Sequence, residues 1–390
     1  MTVTKAIRDM SEGIEDPRCA CDVKIPLYDV LAVSIAAILC GQEELSSMMD
    51  YIDMHRDELT AQFGLSSIPS ESTLRRVLSL INPLQFGIAC LGLMQRGGVE
   101  PGDVIAVDGK AIRSTEKLKS LQRGLRVLSA YDIATSTVIG QLEVGEKTNE
   151  IPVFQSLLPM LTLTGRIVTA DAMHCQKRSC ALVIEGGGDY VFQVKKNQKE
   201  LYEYVQTYMD DLLQRGDQDL STYTQTDIGH GRTEQRTCSI ARVDGLPELE
   251  EWSGIALFIA MDRTTEQGGR VTEERSYYIS SLLGTATHLW HVIRDHWQIE
   301  SMHWMLDVTF HEDACRAHNA TLQLNLNLLR KLALTILRQH LKRQADSGDK
   351  KAVRRSLRQQ MNRCLAHVST LVEVLSQADI ASLFATELDA

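Results

Sequence analysis

The sequence predicts an α/β protein: a mixed sheet carrying a β-rich insertion, set between two helical regions. Three observations carry that prediction. Residues 1 to about 95 show apolar residues at helical spacing. After Pro101-Gly102 the pattern becomes short apolar strands, two of which run into an aspartate. From Thr285 helical spacing returns. A chain of 390 residues is too long for one small core. The expected division is a helical N-terminal domain at 1–98, an α/β domain at 99–330 with the insertion at about 220–285, and a helical C-terminal region at 331–390 that is basic and then acidic.

The elements follow in order. "PLYDVLAVSIAAILCG" predicts a buried helix with Gly41 as its C-cap. Its apolar run, Val30–Cys40, is too short to cross a bilayer and is flanked by Asp29 and Glu43. "ELSSMMDYIDMHRDELTAQFG" is amphipathic and ends at Gly64. In "IPSESTLRRVLSLINP", Ser70 is placed to cap the next helix. These pieces fit either a helix-turn-helix-like unit with Arg75 and Arg76 facing DNA, or an ordinary helical hairpin. "DVIAVDG", "RVLSAYD" and "TVIGQLEV" predict three antiparallel strands; "GRIVTADA", "CQKRSCALVIEG" and "DYVFQVK" predict strand, helix, strand. "NQKELYEYVQTYMDDLLQRGD" predicts a helix. Strand chemistry then returns in "STYTQTDIGHGRTEQRTCSIARV", "GIALFIAMDRTT" and "EERSYYISSL".

Composition excludes several classes. With 44% hydrophobic and 24% charged residues the chain reads as a soluble globular protein, and no membrane span is expected. "MTVTKAIRDMSEGIEDPR" holds charges and no apolar segment, so no secretory leader is expected. Nine scattered cysteines predict no disulfide framework and a reducing cytoplasm. The net charge of -10 argues against a uniformly basic nucleic-acid binder, yet the charge is polarised. Residues 316–363 hold twelve Lys/Arg and two acids, whereas residues 1–99 hold eight Lys/Arg and thirteen Asp/Glu. The basic end fits either a phosphate-tracking surface or a solvated helix face.

Asp108 and Asp171 each end an apolar strand, where a carboxylate can face a cleft outside the sheet. Two carboxylates brought together repel unless protonated or bridged, and hard divalent cations take oxygen ligands. The alternative is that each begins a turn, Asp108 as part of Asp-Gly. "HWQIESMHWMLDVTFHED" (296–313) offers a third carboxylate. On a helix over 294–308, residues His296, Glu300, His303, Trp304 and Asp307 share one face. Six of the eleven histidines lie at 288, 291, 296, 303, 311 and 318, but none has H-E-x-x-H spacing, so structural zinc is not expected.

Together "IAVDGKAIR", "IVTADAMHCQK", "YVFQVKKNQKEL", "GHGRTEQR" and "RDHWQIESMHWMLDVTFHEDACR" resemble the DDE transposases of the H-repeat-associated group, bacterial insertion-sequence enzymes. The resemblance covers most of the chain. It implies an RNase H-like catalytic core in which Asp108, Asp171 and Glu300 are the catalytic carboxylates and hold two Mg²⁺ (or Mn²⁺) ions. It implies metal-dependent cleavage of transposon ends and strand transfer by transesterification, on double-stranded DNA, by a homodimer in the cytoplasm at the nucleoid. Lys110 and Arg113 are then placed to hold the scissile phosphate, and Lys195, Lys196 and Arg232 the flanking DNA; the alternative for each is a solvated charge. His296, His303 and Asp307 are expected in support. Trp297 and Trp304 either stack on a base or pack the Glu300 helix onto the core. There are departures from the broader DDE group. Ile293, His296 and Asp307 stand where it often carries Tyr, Arg and Lys, while Ser301 and His174 replace a usual Asn and Gly of the subgroup. Two other readings remain beside the transposase: a domesticated, non-catalytic DNA-binding protein, and an endonuclease without strand transfer.

Overall fold

The computed structural model describes residues 3–19, 21, 23–95, 103–116, 124–218, 220–229, 231–243 and 245–377. The expected boundary at 98–99, Pro101-Gly102 and the acidic end of the chain lie outside these residues. The framework is a mixed sheet of nine strands: β1 Val104–Ala111, β2 Arg126–Asp132, β3 Thr137–Glu143, β4 Ile167–Ala170, β5 Asp189–Val194, β6 Ser221–Gly229, β7 Arg232–Arg242, β8 Leu257–Gln267 and β9 Arg270–Ser280. Their order is β3-β2-β1-β4-β5-β9-β8-β7-β6. Strands β1, β4 and β5 are mutually parallel and the other pairings are antiparallel. The centre is buried on both faces, as parallel strands covered by helices require, though Asp108, Lys110, Ser129 and Thr169 interrupt the apolar surface of one face. The insertion is no separate β unit: β9 pairs with β5 and continues the same sheet outward. Backbone pairing explains this, because β5 would otherwise present an open edge.

Among the described residues, six helices precede the sheet: α1 Val3–Glu12, α2 Leu27–Leu39, α3 Leu45–Met54, α4 Arg56–Phe63, α5 Glu71–Leu80 and α6 Pro83–Gln95. Helix α2 is buried along its whole length. The amphipathic stretch after it breaks into α3 and α4 at His55, and left-handed Gly64 ends α4. Ser70 caps α5 by accepting from the Thr73 N–H at 3.3 Å. Helices α7 Glu150–Leu157, α8 Lys177–Glu185 and α9 Lys199–Arg215 cover one face of the sheet, packing Phe154, Val183 and Val205 on Val107, Val168 and Phe192. The spacing of the chain between β3 and β4 had not marked α7.

On the other face lie α10 Ala286–Asp295, α11 Trp297–Val308 and α12 Ala320–Asp346, followed by α13 Leu357–Ala366 and α14 Val368–Gln377. A boundary at 330–331 falls in the middle of α12, which is one continuous helix. Residues of α1 to α6, α11 to α14 and strands β1 to β3 share a single apolar core. Arg330 and Lys331, counted in the basic end, are 2% and 1% exposed, so they are neither solvated nor free for DNA. The reason is the position of α12, which is covered on all sides through Leu322–Leu337.

Candidate active site

Strand β1 alternates. Ile105 and Val107 enter the core beneath α7, α8 and α9, so Ala106, Asp108 and Lys110 point to the α11 and α12 side. Strand β4 repeats the pattern: Val168 and Ala170 face the first core, and Thr169 points to the other side. The parallel register pairs Val107 with Ala170. The next residues, Asp108 and Asp171, therefore stand side by side one strand apart, a separation of about 4.8 Å between backbones. Asp108 does not end its strand, as expected, but sits within it, because β1 runs on to Ala111. Gly109 does not open a turn either. A Cβ there would run into the Glu150 carboxylate, so the glycine makes room for an acid at the start of α7.

Helix α11 supplies the facing side. Ile299, Met302 and Leu306 fill its core stripe. His303 and Asp307 lie on the stripe over β1, and Glu300 emerges into solvent-accessible space. The core stripe leaves no room for the tryptophans, so the packing expectation fails: Trp297 is 53% exposed and Trp304 59%. The Arg294 guanidinium lies over the Trp297 ring at 5.7 Å from its centroid. The helix predicted over 294–308 is also interrupted, with α10 and α11 meeting at His296.

Each aspartate has a histidine. His303 Nδ1 lies 3.4 Å from Asp108 Oδ2, and His296 Nε2 lies 3.8 Å from Asp171 Oδ1. The other His296 nitrogen, Nδ1, is 3.0 Å from Thr169 Oγ1. Burial, and the charges of Lys331 and Lys110, hold His303 below the usual imidazole range against the pull of Asp108. His303 thus faces Asp108 through Nδ1, and among the described residues its buried Nε2 has no hydrogen-bond partner. Burial pushes the Asp108 carboxyl up, but His303, the Gly109 N–H and His296 outweigh it and the net direction is down. Glu300 goes the other way: burial, then the negative charges of Asp108 and Asp171, push its carboxyl above the ordinary range. Three carboxylates crowd one end of the sheet.

This donor set fits a hard divalent cation, which prefers carboxylate oxygen and would relieve the crowding. Among the described residues, no three His, Cys, Asp or Glu side chains stand close enough together to hold a metal as they are oriented. Asp108 is turned to His303 and Asp171 to His296.

A cleft of about 340 Å³ opens beside the carboxylates, lined by Asp171, Glu300, Trp297, Lys195, Arg236, Arg263 and Arg294. Asp108 lies behind it. Arg236 and Arg263 come from β7 and β8 of the insertion and Arg294 from α10, and Glu274 of β9 lines the cleft beside Arg263 at 3.5 Å. Burial, then the charges of Arg294 and Arg263, bring Arg236 down to about 10. Buried Glu234 holds Arg236, with Arg232 at 2.9 Å and Arg263 at 2.9 Å. These arginines had no signal in the sequence, since only strand pairing brings them to the cleft.

The remaining expected DNA contacts scatter. Lys195 lines the cleft, while Lys196 is exposed in the turn after β5 and outside it. Arg113 is exposed after β1, its backbone N–H donating to Asp313 Oδ1 at 3.1 Å. Arg232 is tied to Glu234. Arg75 and Arg76 are exposed on α5, with Arg75 ion-paired to Glu71 at 2.6 Å. Lys110 is not available to a phosphate. It is buried, pairs with Asp307, lies 3.4 Å from Glu312 Oε2 and donates to the His303 carbonyl at 3.3 Å. Asp307 is thus the partner of a lysine on β1.

His174 went unrecognised as part of the site. It is 1% exposed, stacks on Phe154 at 4.5 Å and sits 3.8 Å from Glu150 Oε2. Burial lowers it to about 4 against the pull of Asp108 and Asp171.

The family model described as Transposase DDE domain matches residues 100–337, and the model described as DDE_Tnp_1-associated matches 9–93. The Escherichia coli (strain K12) protein named "H repeat-associated putative transposase YhhI" is 34% identical over 335 residues, 83% of this chain and 88% of that protein. "Putative transposase YncI" of Escherichia coli O157:H7 is 31% identical over 348 residues, 86% and 87%. An "Uncharacterized protein in dhlA 3'region" of Xanthobacter autotrophicus is 31% identical over 275 residues, 69% and 92%.

Proposed function

This chain belongs to the DDE-domain transposase family, and on that premise we propose that it cuts the ends of an insertion sequence and joins them to target DNA. The observation that carries this reading is the β1/β4 register that leaves Asp108 beside Asp171, with Glu300 facing both. We read the five strands β3-β2-β1-β4-β5 as an RNase H-like core and residues 99–330 as the catalytic unit, extended by the insertion. The helices of 1–98 and of the C-terminal region are read as flanking parts, and a homodimer on DNA as the working form.

In this reading Asp108, Asp171 and Glu300 hold divalent Mg²⁺ or Mn²⁺. When bound, such ions lower the pKa of a water or 3′-hydroxyl and stabilise a leaving oxygen. The reaction is hydrolysis of a phosphodiester, then transesterification by the freed 3′-hydroxyl. His303 orients Asp108, and His296, fixed by Thr169, orients Asp171. Lys195, Arg236, Arg263 and Arg294 neutralise phosphate in the cleft. Trp297, exposed and backed by Arg294, offers a face to a base. Arg113, Lys196, Arg232, Arg75 and Arg76 are left to contacts along the flanking duplex.

The test is cleavage of DNA carrying the element's terminal repeats, with Mg²⁺ or Mn²⁺. Asp108→Ala, Asp171→Ala and Glu300→Ala are each expected to abolish it, and normal cutting by all three overturns the assignment. Joined target products separate a transposase from an endonuclease that only nicks.

A further inference from the structure

A second basic feature shares no lining residue with the cleft. It is a groove of about 910 Å³ between the turn after α12 and the outer face of α13. Residues 350–363 contain six Lys/Arg and no Asp or Glu, in a chain of net charge -10. Two kinds of basic side chain can be told apart here. Arg355 is structural: it donates to Gln344 Oε1 at 2.7 Å and Gln360 Oε1 at 3.3 Å and lies 3.7 Å from Asp349 Oδ2. Buried Ala352 and the Ser356–Gln359 capping box fix the same turn to the body. Lys350, Lys351, Arg354 and Arg363 are exposed around the groove, and none makes an ion pair among the described residues. Four unpaired cations are thus held on a fixed concave frame, at the cost of mutual repulsion that an anion would relieve.

We propose that this groove binds the sugar–phosphate backbone of duplex DNA, outside the catalytic cleft. Val353 is exposed in its lining, but no aromatic side chain lines it, so it lacks the aromatic anchors typical of a protein interface. Free cations beside the amides of Gln359 and Asn362 suit phosphate and sugar oxygens. The proposal rests on the reading that the chain acts on DNA.

The experiment is fluorescence anisotropy of the full chain with a labelled random-sequence duplex of DNA, without metal, over a range of salt. Lys350→Ala/Lys351→Ala/Arg354→Ala/Arg363→Ala is expected to bind at least about tenfold more weakly near 0.1 M salt. Its plot of log affinity against log salt should be shallower by about three to four, near 0.9 for each of up to four lost phosphate contacts. Arg354→Glu alone, melting at the wild-type temperature, is expected to lower affinity in the same direction. Wild-type affinity and slope in both variants overturn the groove while leaving the transposase reading in place. A wild-type chain that binds no duplex overturns that reading itself. Tighter groove-dependent binding of a duplex RNA of equal length overturns the choice of DNA.

Discussion

His174 shows how one residue links the two faces of the site. Its ring is buried on Phe154 beside Glu150, whose carboxylate lies where a Cβ on Gly109 would stand. With a folded pKa of about 4 against an ordinary 6.5, the folded state favours neutral His174. Its contribution is fully present above about pH 6.5 and is lost progressively as pH falls toward 4, up to about 3 kcal/mol. Thermal melts of wild type and His174→Gln between pH 7 and 4.5 check this: the variant's stability should fall less steeply. Gly109→Ala is expected to cost up to about 1 kcal/mol, because the atoms its Cβ meets are the movable end of the Glu150 side chain, which can turn aside. A denaturant melt reads that loss.

At the scale of elements, α11 is bolted to β1 by charge. Lys110 and Asp108 are two residues apart and so point the same way. Lys110 grips Asp307, Glu312 and the His303 carbonyl, all on α11 or just after it. Glu312 is 0% exposed, lies 3.8 Å from Arg330 and accepts from Asn327 at 2.7 Å, which brings α12 into the same network. Lys110→Ala leaves Glu312 short of a counter-charge and is expected to cost about 3–5 kcal/mol. Asp307→Asn is expected to cost about 1 kcal/mol, since that end of the network is half-exposed. Urea melts give both numbers. Asp307→Asn should still cut DNA, more slowly, and complete loss with an unchanged melt would place Asp307 among the metal-binding carboxylates instead. Helical spacing puts Asp307 on the same face as Glu300, but the lysine it meets lies 197 residues away, out of reach of any local pattern.

At the scale of the molecule, the helices before and after the sheet are one body. Asn325 of α12 donates to the carbonyls of Leu78 and Ile81 at 2.8 and 2.9 Å, satisfying the C-terminal end of α5. Leu322, Leu326, Leu329 and Leu337 of α12 share a core with α2, α5 and α6. A chain beginning at residue 103 would expose that surface and is expected to be insoluble or molten. The full chain is expected to lose α1 to α6 and the α11 to α14 layer in one unfolding step. A folded fragment 103–377 with native near-UV circular dichroism would show instead that the N-terminal helices are an independent unit.

The sequence by itself determined most element types, though not α7, together with the strand that carries Asp108, the strand that leads into Asp171, and the helix that carries Glu300. Periodicity and cap residues such as Ser70 and Gly64 are local, so a local reading can reach them. It could not say that β6 to β9 extend the central sheet, that Arg236 and Arg263 enter the cleft, or that Arg330, Lys331 and Lys110 are buried. Those depend on strand pairing and on partners far apart in the chain. Burial and counter-charge decide what a lysine or arginine does, and both belong to the tertiary structure.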